Sequence, residues 1–159
     1  MRILAIDPGY GRVGIAVLEK NAGKETLLFS ECYETTTATE HSERLASIQR
    51  RLRKLIKEFK PQALAIESLF FSKNKKTALA VAEARGTILA EAASASVSVF
   101  EYRPSEVKIA VTGYGSADKE QIKAMVKRIL NITKEISHDD EYDAIAVGLT
   151  HLAIYHRPK

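Results

Sequence analysis

The sequence predicts an α/β protein built on a mixed five-stranded sheet, an antiparallel meander extended by parallel strands, with helices on its flanks. Three observations carry this. Apolar runs at 3–6 and 13–18 are joined by a turn containing Pro8, Gly9 and Gly11, and a third run, ETLLFSECY at 25–33, completes a meander. Two later apolar runs, QALAIES and VSVFE, each follow a long helical pattern, and strand–helix–strand succession places such strands in parallel. Finally, 159 residues with 45% apolar content are enough to fill a core of their own.

The first helix is read from TTTATEHSERLASIQRRLRKLIKEFKP. Thr37 and Glu40 have capping-box spacing, and Pro61 marks the stop. Leu45, Ile48, Leu52, Leu55, Ile56 and Phe59 fall on one face; Arg50, Arg51, Arg53, Lys54 and Lys57 mostly avoid it and read as a solvated face. Lys75–Ser96 is Ala-rich and helical with Gly86 inside it, where glycine costs about 1 kcal/mol relative to alanine. RPSEVKIAVTGYGSADKEQIKAMVKRIL gives two helices around Gly113-Tyr114-Gly115, and SHDDEYDAIAVGLTHLAIYHR a last helix with Ser137 as its cap. No repeat or linker interrupts the chain, so residues 1–159 are expected to form a single domain.

Composition narrows the function classes. A net charge of +4 with pI near 9.1 hints weakly at a polyanionic partner, more so if some acids are neutralised by cations. Cys32 is the only cysteine, so no intrachain disulfide can form, and a reducing, cytoplasmic setting is expected. Its plain reading is a small strand residue. Charges break every apolar stretch well short of a membrane span, and Asp7 and Arg12 fall where a signal peptide would be apolar.

Four acids stand out by position. Asp7 and Glu67 each end an apolar strand, where an ionised carboxylate needs water, a donor or a cation. Asp7 alone has three readings: Asp-Pro-Gly is good turn chemistry, Asp-x-Gly between strands also opens actin-like ATPase phosphate loops, and a carboxylate on a rigid strand can hold a metal. Asp140 and Asp143 lie three apart and share a face at the start of the last helix, a face that continues through Val147, His151 and Ile154 and is expected to point inward. Helix-start electrostatics account for His138, Asp139 and Glu141, and suffice for Asp140 too; Asp143, followed at once by AIAVGLTHLAI, is out of place as a solvated acid. Together the four fit one acidic cluster, which repels itself by several kcal/mol without cations. Magnesium suits such a site, and two ions could clamp the attacking and leaving oxygens of a phosphodiester displacement; manganese is expected to substitute. There is no zinc spacing and no Gly-x-x-x-x-Gly-Lys loop.

The segments IDPGYGRVGIAV, IESLFFSKNKKTALAVAEARGTI, EYRPSEVKIAVTGYGSADKEQIKAMV and DEYDAIAVGLTH run in order over nearly the whole chain. In them the sequence resembles the RuvC family of Holliday junction resolvases, which implies a ribonuclease-H-like fold. The family's metal-binding acids fall on Asp7, Glu67, Asp140 and Asp143. Glu141 and Tyr142 stand where small residues are common, and the short segment before the last helix leaves Asp139 as a competitor for Asp140.

The resemblance implies more. Phe70 would stack on bases of an opened junction, with Phe71 in the core; Lys73, Lys75 and Lys76 would face DNA, although a solvated loop explains them equally. Lys108 and Lys119, plain exposed lysines on sequence alone, match basic positions near the catalytic centre. Similar proteins dimerise through the region of Gly86. The function implied is resolution of four-way DNA junctions in recombination and repair by paired, symmetric, Mg2+-dependent nicks, carried out by a cytoplasmic homodimer in partnership with RuvA–RuvB and without a membrane. The rivals are another ribonuclease-H-like nuclease of YqgF type and a non-catalytic junction-binding protein.

Overall fold

The computed structural model describes residues 1–69 and 75–155, apart from the side chains of Lys75 and Lys76. Strands β1 (Arg2–Asp7), β2 (Arg12–Asn21) and β3 (Lys24–Glu34) form the meander, and helix α1 (His41–Phe59) crosses to β4 (Ala63–Glu67). Helix α2 (Lys75–Ser94) leads to β5 (Ser98–Tyr102), and α3 (Pro104–Thr112), α4 (Lys119–Leu130) and α5 (Asp139–Ile154) follow. The sheet order is β3-β2-β1-β4-β5, with β1–β2 and β2–β3 antiparallel and β1–β4 and β4–β5 parallel. This is the architecture read from the sequence.

Period-two alternation divides the central strands between two cores. Leu4, Ile6, Leu64 and Ile66 face α1 and α2, meeting Ile48, Leu52, Leu55, Ala84 and Ile88. The opposite face is lined by small residues, Ala5, Ala16, Ala63 and Ala65, and receives α5. Small side chains let the helix sit close. A Cβ added at Gly148 would lie 2.4 Å from Leu18 Cδ1 and 3.1 Å from Ala5 Cβ. On this face the next residues in the alternation after Ala5 and Ala65 are Asp7 and Glu67.

Several local expectations need correction. Thr37 does not cap α1: the helix starts at His41 after Glu40, with no side-chain cap bond. Thr36 organises that turn instead, its Oγ1 accepting from Ala38 N at 3.2 Å. Ser137 does not cap α5 either; it is exposed, and His138 occupies the N-cap position. Ile154 is 49% exposed at the helix end, beyond the buried face that includes Val147 and His151. The basic side of α1 is not uniformly solvated, because Arg51 grips Glu31 (2.6 and 2.7 Å) and Arg53 grips Glu91 (2.7 Å, both nitrogens). Gly86 is exposed, and an added Cβ would touch nothing within 4 Å, so packing inside this chain does not call for it. No described helix is long and apolar enough to cross a membrane.

Candidate functional site

Sheet register builds half of the site. Ile6 pairs with Ile66 in parallel, so the next residues on the two strands, Asp7 and Glu67, stand side by side where both strands end. Carboxyl ends of parallel strands are the usual place for ligands in such sheets. Asp7 is also opposite Gly14 of β2 in the antiparallel register. That glycine is required: a Cβ there would lie 1.9 Å from the Asp140 carbonyl oxygen and 3.1 Å from Asp7 Cβ. Gly14 therefore lets the first turn of α5 come down onto the sheet beside Asp7, carrying Asp140 and Asp143. Its sequence signal is a glycine inside an apolar strand, which marks a close backbone approach.

The electrostatics couple Asp7 to the other three acids. Burial pushes the Asp7 carboxyl up to about 8, and Glu67, Asp143 and Asp140 push it the same way, with Lys119 opposing. Asp7 is thus mostly protonated at neutral pH without a cation, and it donates to the Glu67 carboxylate. Burial and Asp143 raise Glu67, against the effect of that hydrogen bond. Asp143 is raised as well, by burial first, while Lys119 Nζ at 3.7 Å holds it down. All four carboxylates are half-buried; Lys119 opposes the charge on Asp7, Glu67 and Asp143, Arg12 pairs with Asp140, and oxygen-only donors of this kind suit a hard divalent cation.

Asp139, the competitor for Asp140, lies 3.7 Å from Lys119 Nζ, the same lysine that stands 3.7 Å from Asp143, but its nearer partner is another lysine. Its carboxylate lies 2.8 Å from Lys123 Nζ, and this lysine holds it below the usual range. Asp140 instead faces Arg12, whose Nε is 3.4 Å from Oδ2, and Cys32, whose Sγ is 4.0 Å away. Burial and Asp140 push the Cys32 thiol up to about 11. Glu141 is buried and paired with Lys134 at 2.6 Å. Sequence reasoning assigned no role to Arg12, which opens β2 opposite Glu34 of β3; a charged residue at a strand's first position carries no periodicity to read.

A cleft of 210 Å³ opens between Glu67, Asp143, Lys108 and Lys119, floored by Val107 and Ile122. A second, of 250 Å³, is lined by Glu67 together with Asp7, Pro8 and Leu69. Lys108 and Lys119 therefore line the same cleft as two of the acids. Phe70, Phe71 and Lys73 lie outside the described residues, as do the side chains of Lys75 and Lys76.

The chain is similar to known proteins over nearly its whole length. The family model for crossover junction endodeoxyribonuclease RuvC matches residues 3–151. The crossover junction endodeoxyribonuclease RuvC of Moorella thermoacetica is 45% identical over 151 residues, 95% of this chain and 90% of that protein. Among solved structures, RuvC of Thermus thermophilus in complex with a Holliday junction substrate superimposes with a TM-score of 0.90 at 35% identity, covering 96% of this chain and 93% of that one. The yeast mitochondrial Holliday junction resolvase Ydc2, 14% identical, shares the fold with a TM-score of 0.68 over 93% of this chain and 77% of its own.

Proposed function

This chain belongs to the RuvC family of crossover junction endodeoxyribonucleases, Holliday junction resolving enzymes with a ribonuclease-H-like fold, and we propose that it cuts a four-way DNA junction through Asp7, Glu67, Asp140 and Asp143 acting as metal ligands. The observation that carries this reading is the raised Asp7 carboxyl, held up by burial and by the other three acids. A group so placed is relieved when a cation replaces the shared proton. The four side chains would hold Mg2+, in two sites per centre, with Mn2+ able to substitute; when bound, it would polarise the scissile phosphate and lower the pKa of water.

The chain's own residues supply the rest. Asp7 and Glu67 are fixed by strand ends, so their separation does not depend on loops. Asp140 and Asp143 ride on a helix clamped to the sheet at Gly14 and Gly148. Lys119, already 3.7 Å from Asp143, and Lys108 across the cleft would bring positive charge to the phosphate oxygens as negative charge develops. Phe70, with Lys73, Lys75 and Lys76, would hold the opened junction at the mouth of the site. A homodimer of this one nuclease domain, assembled through the exposed Gly86 region, would present two such centres for paired, symmetric nicks. Partnership with RuvA–RuvB and a cytoplasmic setting complete the reading.

Cleavage assays in Mg2+ on a four-way junction, a linear duplex and an RNA–DNA hybrid test it. Paired nicks confined to the junction are expected. Cleavage of the hybrid in preference to the junction would favour the YqgF-type alternative, and junction binding without nicking would favour a non-catalytic binder.

A further inference from the structure

A second cluster of metal-ligating side chains includes Asp140. Cys32 comes from β3, His138 from the N-cap of α5 and Asp140 from its first turn; one ligand atom of each lies within 4.8 Å of the other two. All three residues are half-buried, and Sγ is already 4.0 Å from Asp140 Oδ2.

Arg12 reveals how the imidazole is oriented. Its guanidinium reaches both Asp140 Oδ2 (Nε, 3.4 Å) and His138 Nδ1 (Nη1, 3.3 Å). Arginine has donors only, so His138 Nδ1 accepts, and in the neutral ring the proton sits on Nε2. Nε2 in turn lies 3.4 Å from Glu34 Oε1. A carboxylate behind the far ring nitrogen is the usual partner of a metal-ligating histidine. The imidazole lone pair and the carboxylate thus converge on one cation, with the Cys32 sulfur beside them. That cation is a side chain 52% exposed.

We propose that Cys32, His138 and Asp140 form a second metal site, for a thiophilic divalent cation such as zinc, and that filling it withdraws Asp140 from the nuclease centre. The mixed sulfur, nitrogen and oxygen donors favour zinc or cobalt over magnesium. Tetrahedral zinc holds its ligand atoms about 3.3–3.8 Å apart, so the cluster closes on the metal by side-chain shifts of about 1 Å. Arg12 leaves, the thiol proton passes to solvent as the sulfur–metal bond forms, and water fills the fourth position. The metal site stands on its own geometry; its effect on cleavage rests on the reading of Asp140 as a ligand of the nuclease centre.

The experiment titrates the reduced full chain with cobalt(II), without DNA or magnesium. One equivalent should give a thiolate-to-cobalt charge-transfer band and tetrahedral visible bands, both displaced by zinc. Cys32→Ser should lose the charge-transfer band, and His138→Gln should bind cobalt about 100-fold more weakly. In a second arm, stoichiometric zinc should slow junction cleavage in excess magnesium by about tenfold or more for the wild type, while Cys32→Ser keeps its rate. A wild type without the charge-transfer band overturns the site, and equal zinc inhibition of wild type and Cys32→Ser overturns its coupling to cleavage. Because the cobalt arm involves no nuclease step, failure of the four-acid reading would appear separately, as full cleavage by Asp140→Asn without zinc.

Discussion

Asp7 and Glu67 stand next to each other at the carboxyl ends of two parallel strands, and in the absence of a cation they share a proton that Asp7 donates. The pairing follows from register, since β1 and β4 run together to Ile6 and Ile66 and both then place an acid on the face that receives α5. Like charges this close are tolerated only by protonation or by a bound cation.

Stability should therefore respond to pH and magnesium together. The folded Asp7 carboxyl is raised to about 8 from 3.8, so between those values the folded state binds more protons than the unfolded one. Stability of the cation-free protein is present at the acid end of that window and is lost as pH rises through the folded value. A cation that replaces the proton should then raise Tm more at about pH 9 than at about pH 6. Thermal melts with EDTA or Mg2+ at both pH values check this; an equal shift would count against a cation at the four acids.

Gly14→Ala tests how α5 is seated. The new Cβ would meet backbone, the Asp140 carbonyl oxygen at 1.9 Å, which cannot step aside without moving the helix start. We expect a stability loss of about 1–3 kcal/mol or more, together with loss of cleavage. Gly148→Ala meets chiefly the Leu18 side chain, which can adjust, so it should retain more cleavage for its stability loss. Denaturant melts and nicking rates of both variants make the comparison.

His151 supplies an acid-side prediction of opposite sign. Its ring is fully buried against Phe100 and Tyr155, its Nδ1 is 2.8 Å from Tyr102 Oη, and burial lowers its pKa to about 4 from 6.5. The unfolded state binds the proton first, so stability is lost as pH falls from 6.5 toward about 4, by about 3 kcal/mol in all. Urea denaturation of wild type and His151→Gln across that range should show the extra loss in the wild type only; parallel curves would contradict it.

These cases also separate what the sequence discloses from what it hides. Asp7 and Glu67 were legible because strand ends are readable from apolar runs, and Asp143 because an acid beside AIAVGLTHLAI has no plain explanation. The helix caps were misread at Thr37 and Ser137, since capping spacing recurs in any Thr- or Ser-rich turn and local hydrogen bonds choose among candidates. The Arg12–His138 and Cys32–Asp140 contacts were invisible. They join residues more than a hundred positions apart through the docking of α5, and no local pattern encodes that.

Phe70 separates wedge from core by experiment. As a core residue, Phe70→Ala should cost roughly 3–5 kcal/mol of stability. As a stacking residue it should melt normally and cut intact junctions poorly, with the defect shrinking on a junction opened by mismatches. We expect the second pattern, with Lys75→Ala as the control that weakens both junctions alike. Melting temperatures and cleavage of the two substrates decide the matter.

The central claim is that the acids hold metal for chemistry while phosphate contacts hold the junction. Gel shift and nicking of one junction by Asp143→Asn measure both halves at once. Binding should stay within a few-fold of the wild type, while cleavage falls by about 10³ or more. Cleavage by Asp143→Asn at the wild-type rate would contradict the account.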